Sequence, residues 1–430
     1  MSQNVYIGMT LKPWPILLDH YRDVKEYSAK WNLLGERFGL PLPRKLIAAS
    51  TSQFEKFQLR WKNKRDIQHN GFYAYVGSKP YTPFQAPSTR IASKAIQQLL
   101  GNEKFETRKL AALTNFLHKF DFGGLLRLRF NVAISSDDFT NLQNGQQLQP
   151  KTALILKEAL EEYELEEILG LIKYCESISK APEFLLSLHP NVISLNHLRI
   201  HEETVSDVTI DSHVVSTLLR AGLIELENLE TVRHTKSPSN YVDDIDISDV
   251  PLTGLAKRSS GEQCLFLLFL GIISSIEDDA LICIDEPEIS LHPQWQEKFV
   301  DILKDSFSGY QGCHFLIATH SPLIVSDISA SNCCVYDMVN RKLIDARPHK
   351  ERSADYQLAT LFHNPGNNNE YLITQIIEVL DCVCKTENPP EEILATANWL
   401  LSFESQLEEH DKVRVLLGIM RSTLLAGGYL

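Results

Sequence analysis

One short apolar run constrains the fold of this chain more than any other feature. Residues 280–284 read Ala-Leu-Ile-Cys-Ile and lead directly into the acidic pair Asp285 and Glu286. Aliphatic and β-branched residues without polar alternation are typical of a central parallel strand that is buried on both faces. The run therefore predicts an α/β fold. It also places Asp285 and Glu286 at the carboxyl edge of a strand, where open sheets bind ligands.

Two adjacent carboxylates at such an edge can divide the chemistry of phosphoryl transfer. One holds a hydrated Mg²⁺ ion, and the next orients or deprotonates the attacking water. We assign the metal role to Asp285 and the role of catalytic base to Glu286. A strand that simply ends in two solvated acids is the plainer interpretation, and it is preferred if this pair is considered alone.

The neighbouring segments favour the functional interpretation. Upstream, residues 262–276 are apolar and long enough for a helix, and the preceding serines can cap it while its first amides face a phosphate. Downstream, residues 314–318 predict a second buried strand, which His320 follows by two residues. A capping sequence and a structural histidine are the alternatives. The spacing of the segments predicts one shared site.

Four short motifs follow one another in a fixed order within residues 259–322. They are Ser259-Ser260-Gly261-Glu262-Gln263, Leu281-Ile282-Cys283-Ile284-Asp285-Glu286, Ser290-Leu291-His292-Pro293 and Thr319-His320-Ser321-Pro322. This order resembles the ABC-type ATPases. Within them the chain is similar to the branch that includes the overcoming-lysogenisation-defect and Septu-type defence ATPases, which are relatives of the chromosome-maintenance ATPases. The resemblance extends from about residue 45 to residue 337.

The resemblance implies a role for each matched residue. It implies a signature loop at Ser259, Ser260, Gly261 and Glu262, a Mg²⁺ acid at Asp285, a catalytic acid at Glu286, a dimer-communication loop from Ser290 to His292, a switch histidine at His320, and a link to the metal site at Gln53. The implied cofactors are ATP and Mg²⁺. The implied assembly is a homodimer or a higher oligomer, in which the signature loop of one protomer serves the nucleotide of another.

The chain departs from the family pattern at two places. Arg258 stands where the family usually has an apolar residue before the signature serine. The phosphate loop G-x-x-x-x-G-K-[ST], which cradles the phosphates of the nucleotide, does not occur in the printed sequence. In a family member that loop lies a few tens of residues before the strand at residues 45–50, which is near or before Met1. This chain alone is therefore expected to hydrolyse ATP poorly or not at all.

Composition limits the class of protein. The chain has 430 residues, of which 43% are hydrophobic and 23% are charged, as in soluble globular proteins of two or three domains. Its longest apolar run, residues 264–273, is shorter than the roughly 20 residues of a membrane-spanning helix, so no membrane segment is expected. Eight cysteines without a C-x-x-C pair favour reduced thiols and a cytoplasmic location.

Charge is unevenly distributed. A formal net charge of −13 argues against a surface wrapped in nucleic acid. Residues 56–94, however, are rich in Lys and Arg and carry interleaved aromatic side chains, which can bind phosphates and stack bases. A solvated edge beside a strand is the commoner cause of such a pattern. Nucleic-acid contact through this segment stays an open alternative.

Four regions are predicted along the chain. Residues 1–100 form the N-terminal part of the ATPase core, 101–190 a compact helical insertion, 191–350 the C-terminal part of the core, and 351–430 a helical extension. The extension is too small for a nuclease domain, so any nuclease effector is expected to be a separate protein.

The sequence thus predicts a subunit of a defence-associated ABC-type ATPase that binds and hydrolyses ATP and couples nucleotide-driven dimerisation to a partner effector. The alternative is a catalytically silent regulatory or scaffold subunit that lacks its own phosphate loop.

Overall fold

The computed structural model describes most of the chain. The described residues are 5–10, 43–52, 57, 72–77, 87–101, 107–120, 122–160, 163–189, 192–197, 210–233, 252–326, 328, 333–338, 340–386 and 388–430. Gln53 and much of the basic segment 56–94 lie outside them.

The described residues form twelve strands and fourteen α-helices. The strands are β1 (Val5–Thr10), β2 (Lys45–Ser50), β3 (Tyr73–Val76), β4 (Phe122–Val132), β5 (Glu183–His189), β6 (Val192–His197), β7 (Ile224–Arg233), β8 (Leu252–Gly254), β9 (Ala280–Asp285), β10 (His314–Thr319), β11 (Cys333–Asp337) and β12 (Lys342–Asp345). The helices are α1 (Pro87–Leu100), α2 (Thr107–Lys119), α3 (Ser136–Gln143), α4 (Pro150–Ala159), α5 (Leu165–Lys180), α6 (Ser212–Arg220), α7 (Ser260–Ser275), α8 (Pro293–Glu297), α9 (Phe299–Phe307), α10 (Pro322–Ser326), α11 (Ala354–Thr360), α12 (Glu370–Lys385), α13 (Glu391–Leu401) and α14 (Lys412–Ala426).

The described strands form two sheets. A seven-stranded sheet has the order β12-β11-β1-β10-β9-β2-β3, and a five-stranded sheet has the order β6-β5-β4-β7-β8. Strand β2 pairs in parallel with both β3 and β9. The predicted α/β class with a parallel sheet, as in P-loop NTPase-like folds, is confirmed. The apolar run at residues 280–284 belongs to β9, inside the sheet, as its lack of polar alternation predicts.

The chain divides into two compact units. The larger comprises residues 10–292 and 302–316, and the smaller comprises 1–9, 293–301 and 317–430. In the larger unit, α7 is apolar around most of its circumference and twelve of its residues are buried. Phe269 of α7 stacks on Phe116 of α2, with their ring centroids 4.6 Å apart. Gly271 lies against Val76 of β3, where a side chain would overlap the valine.

The five-stranded sheet differs from the sequence-based expectation. Residues 101–190 contribute four helices, but they also contain β4 and β5 of this antiparallel sheet. In β4, Leu126, Leu128 and Phe130 are buried and alternate with the more exposed Arg127 and Arg129. This alternation is typical of a half-buried strand, but the helical periodicity of the flanking segments dominated the expectation for this region. The partners of β4, strands β5 and β7, lie at distant positions in the chain. The bounds of the proposed helical insertion stay a prediction.

The smaller unit contains an antiparallel arrangement and a helical cluster. Strand β11 pairs with β1 on one side and with β12 on the other, and β11 and β12 form an antiparallel hairpin. Helices α12, α13 and α14 then form a three-helix region within the residues for which the sequence predicts a helical extension. Its core is made of buried apolar side chains, among them Leu372, Ile376, Val379, Leu400, Leu417, Met420 and Leu424.

Candidate functional site

Asp285 is the last residue of β9 and lies beside Ser50, the last residue of β2. The two residues are partners in the parallel register of the strands. Ser50 is buried, and its hydroxyl donates to the backbone carbonyl of Asp285 at 3.1 Å while it accepts from the amide of Ser52 at 3.1 Å. The ends of both strands are therefore held together at the acidic pair. Sequence reasoning missed Ser50, although a hydroxyl at the last position of a buried strand was a usable signal.

The turn after β9 has an unusual backbone. Glu286 has a φ of 47° and Ser290 a φ of 65°, a left-handed conformation that residues other than glycine rarely adopt. The amide of Ile289 donates to the carbonyl of Glu286 at 3.2 Å, and the amide of Leu291 donates to that of Glu288 at 3.0 Å. Strained residues of this kind persist where the surrounding structure determines them, and they cluster at functional sites.

A capping box begins helix α7. The Ser259 hydroxyl accepts from the amide of Glu262 at 3.3 Å, and the Glu262 carboxylate accepts from the amide of Ser259 at 3.2 Å. The capping role weighed as an alternative is thus present. The first amides of a helix, here those of Ser260 and Gly261, have no acceptor within the helix and attract anions. Capping and anion binding are compatible at this end.

Gly261 brings two of the motifs together. A Cβ atom built on Gly261 would overlap the backbone carbonyl oxygen of Ser290, and it would lie 3.2 Å from the Ser290 carbonyl carbon and 3.3 Å from Leu291 Cα. Glycine is therefore required by the close approach of two backbones. The segment that begins at Ser259 and the turn from Ser290 to His292 are in direct contact, and Leu291 of this turn is hydrogen-bonded back to Glu288.

His320 lies in the smaller unit, directly after β10. It is half-buried, and the turn that follows it is well held. The amide of Ser321 donates to Thr319 Oγ1 at 2.9 Å, and the hydroxyl of Ser321 donates to Gln296 Oε1 of α8 at 2.6 Å. The role of His320 as a switch stays a prediction from the resemblance. Gln296 was not predicted, because nothing in its local sequence marks it.

Two predicted features are not tested by the structure. Gln53 lies outside the described residues, one position beyond Ser52. Of the basic segment 56–94, only residues 57, 72–77 and 87–94 are described. The link of Gln53 to the metal site and nucleic-acid contact through 56–94 therefore stay predictions.

The chemistry of the turn suits a magnesium nucleotide. Asp285, Glu286 and Glu288 are half-buried carboxylates within four residues, so they repel a polyphosphate unless a cation lies between. Carboxylate oxygen is the ligand that Mg²⁺ prefers, and in phosphate sites the ion uses only one or two carboxylates together with water and the phosphates. Burial raises the pKa of the neighbouring Cys283 thiol to about 12, so this thiol stays protonated. The three carboxylates are therefore the groups of this turn that could hold a cation.

Within the described residues, no helix combines the length and the apolar character needed to cross a bilayer.

Sequence comparison finds relatives that match part of this chain. The chain is 24% identical over 165 residues to the "Retron Ec83 probable ATPase" of Escherichia coli, covering 36% of this chain and 29% of that protein. It is 25% identical over 186 residues to the "Retron Vc95 probable ATPase" of Vibrio cholerae serotype O1 biovar El Tor, covering 39% and 35%. "Protein ea59" of Escherichia phage lambda is 27% identical over 88 residues, covering 20% and 16%. The matched region thus spans about a third or less of each of these curated relatives.

A family model covers a longer part of the chain. The family described as "AAA domain, putative AbiEii toxin, Type IV TA system" matches residues 86–326. The matched region contains the capping box of α7, the acidic end of β9, the turn at Ser290 and His320. Because the match covers more than half of the chain, the chain belongs to this family of AAA domains.

Proposed function

We propose that this chain is the ATP-binding and ATP-hydrolysing subunit of a defence-associated ABC-type ATPase, in which nucleotide-driven dimerisation is coupled to a partner effector. The observation that carries the proposal is the contact of Gly261 with Ser290. It joins the proposed signature loop to the proposed dimer-communication loop, next to the acids at the end of β9. An ordinary capped helix has no need of this contact.

Each residue near the turn has a role in the proposal. When bound, Mg²⁺ neutralises charge on the β- and γ-phosphates. Asp285 would hold the ion through water, and Glu286 would orient or deprotonate the attacking water. Ser259, Ser260, Gly261 and Glu262 would meet the γ-phosphate of a nucleotide bound to the facing protomer. The hydrogen bond from Ser50 to the Asp285 carbonyl supports this assignment, because it limits movement of the acidic pair.

The remaining roles rest on the family resemblance. His320 is proposed as the switch histidine and Gln53 as the link to the metal site. Residues 1–100 and 191–350 are proposed as the two parts of the ATPase core, with an insertion at 101–190 and an extension at 351–430.

The proposed setting follows from the names of the relatives. Two of them are described as probable ATPases of retrons. A role in defence against phage is consistent with this description. The effector, such as a nuclease, is proposed to be a separate protein, because the extension at 351–430 is small. The proposed assembly is a homodimer or a higher oligomer.

Sedimentation velocity with and without Mg²⁺ and a slowly hydrolysed ATP analogue tests the proposal. The unaltered chain should associate when nucleotide is added. Ser259→Arg should abolish this association, because a bulky cation would occupy the phosphate-facing end of α7. Ser308→Arg is the matched control, since Ser308 is an exposed serine directly after α9. An unaltered chain that stays monomeric with and without nucleotide would contradict the assembly.

The alternative is a regulatory or scaffold subunit that keeps the fold without turnover. Equilibrium dialysis combined with a phosphate-release assay separates the two functions. Binding together with turnover, in the presence of whatever protein supplies a phosphate loop, supports the enzyme. Nucleotide binding without phosphate release under any of these conditions would support the regulatory subunit.

A further inference from the structure

Arg258, which precedes the capping serine of α7, is a buried arginine. Only 8% of its surface is exposed. Its guanidinium carbon lies 4.2 Å from the centre of the Phe122 ring, and Nη2 donates a hydrogen bond to the hydroxyl of Thr231. Burial of a charged group is unfavourable unless it is well paired, and arginine is rarely found at such positions. The location of this side chain therefore calls for a specific reason.

The backbone of Arg258 is connected to the first turn of α7. Its carbonyl accepts a hydrogen bond from Gln263 Nε2 at 2.8 Å, and its amide donates to the carbonyl of Leu255 at 3.1 Å. Residue 258 thus joins two structures. Its side chain is attached to β4 and β7 through Phe122 and Thr231, and its main chain is attached to the beginning of α7.

Phe122 and Thr231, the two residues that contact the Arg258 side chain, are both buried. The ring packs edge-on against Phe266 of α7, with centroids 5.6 Å apart, and Phe122 itself is buried. Thr231 is fully buried on β7, where its register partners are Leu126 of β4 and Thr253 of β8. Both groups that contact the guanidinium therefore belong to strands of the five-stranded sheet. An apolar side chain at 258 would fill the same space but would lack a directional bond.

We propose that Arg258 is a positioning residue that holds the signature loop in place on the five-stranded sheet. The ring of Phe122 and the hydroxyl of Thr231 determine where Ser259 and the first amides of α7 lie. This inference rests on the proposed function, in which those groups meet a nucleotide on the facing protomer. The family resemblance predicts an apolar residue here, so the arrangement is a property of this chain.

Amide hydrogen exchange measured by mass spectrometry tests the positioning without any need for ATP turnover. Arg258→Met keeps the bulk and removes the charge, and Thr231→Val keeps the shape and removes the acceptor. Each change should speed exchange of the hydrogen-bonded amides of Ser259, Glu262 and Gln263, in peptides covering residues 259–263, by about tenfold, while peptides of β9 are unchanged. Exchange in the double variant should be only slightly faster than in either single variant, because both substitutions remove the same interaction. Arg258→Lys should restore part of the protection.

Arg129→Met is the matched control. Arg129 lies on the same sheet, in β4, but its side chain is 51% exposed and pairs with Glu227 at 3.1 Å. Its removal should leave exchange at residues 259–263 unchanged. Unchanged exchange there in both Arg258→Met and Thr231→Val would overturn the proposal. So would an equal increase along the whole chain, since Arg258 would then only stabilise the fold.

Nucleotide-dependent association supplies the second measurement. Arg258→Met should lose the association that Arg129→Met retains. Faster exchange at residues 259–263 together with full association in Arg258→Met would show that association does not depend on how Arg258 positions the loop. If the unaltered chain fails to associate, the proposed function fails by itself, and the exchange data still decide whether Arg258 positions the loop.

Discussion

Gly261 and Ser290 are in backbone contact, so close that a Cβ atom on residue 261 would lie 3.2 Å from the carbonyl carbon of Ser290 and would overlap its oxygen. The two residues belong to different sequence motifs. Ser290 itself has a left-handed backbone, with a φ of 65°, which turns its carbonyl. The start of α7 and the turn after β9 therefore cannot move independently.

Gly261→Ala is expected to disturb this contact. The added methyl group must displace the Ser290 backbone, which should lower the free energy of unfolding by about 1–3 kcal/mol. Nucleotide-dependent association should weaken as well. Urea denaturation and sedimentation velocity measure the two effects.

Gly170→Ala is the control for this change. A Cβ atom on Gly170, within α5, would meet nothing within 4 Å. Alanine should raise the free energy of unfolding there by about 0.5–1 kcal/mol, because glycine is a poor helix former. A Gly261→Ala protein as stable as the unaltered one would show that the contact is not tight.

Two substitutions of Glu286 separate its chemistry from its backbone strain. In an assembly that hydrolyses ATP, Glu286→Gln should abolish turnover and leave nucleotide binding intact, because only the base is lost. Glu286→Gly should also abolish turnover, but it should raise the free energy of unfolding by up to about 1 kcal/mol, since glycine adopts the φ of 47° without strain.

Glu277→Gln is the control for Glu286. Glu277 precedes β9, at the opposite end of the strand, and pairs with Lys45 at 2.6 Å. Its substitution should leave turnover unchanged. Full activity of Glu286→Gln would rule out this residue as the base.

Ser321→Ala should destabilise the turn after His320. The substitution removes the hydrogen bond to Gln296 Oε1 at 2.6 Å and the acceptor for the amide of Leu323 at 3.2 Å. The expected loss in the free energy of unfolding is about 1–2 kcal/mol. Ser422→Ala, at an exposed position on α14, should have almost no effect. If both variants unfold at the same urea concentration, the turn does not depend on Ser321.

Acid sensitivity is expected from His349. Burial lowers the pKa of this histidine below its ordinary value of 6.5, even though the hydrogen bond from Nδ1 to Gln357 Oε1 at 3.1 Å acts in the opposite direction. The unfolded chain therefore takes up a proton as the pH falls through 6.5, whereas the folded chain resists it. His349 therefore does not lower the free energy of unfolding above pH 6.5, and it lowers it progressively as the pH falls below 6.5.

Measurement of unfolding in urea between pH 8 and pH 5 checks this prediction. His349→Asn, which does not titrate, should lose less stability on acidification than the unaltered chain. His410→Asn, at an exposed position, is the control and should follow the unaltered chain. Identical pH profiles for all three proteins would contradict a buried neutral His349.

Features encoded within a few neighbouring residues could be predicted from the sequence. The uninterrupted apolar run predicted β9 and the acids at its end, and the serines before a long apolar stretch predicted the capped helix α7. Strand pairing within the β11-β12 hairpin and the three C-terminal helices follow from local pattern in the same way. Periodicity and capping are local because they depend on backbone geometry over one or two turns.

Contacts between distant residues were decided only by the tertiary structure. Arg258 was visible as a departure from the family, but its burial depends on Thr231, 27 residues away, and on Phe122. Strand β4 has the local alternation of a half-buried strand and was missed among its helical neighbours, but its pairing with the distant β5 and β7 was decided by the tertiary structure. The left-handed Glu286 and the contact of Gly261 with Ser290 arise where packed elements force two backbones together. No periodic pattern records such an approach, since it is a property of the packing and not of either segment.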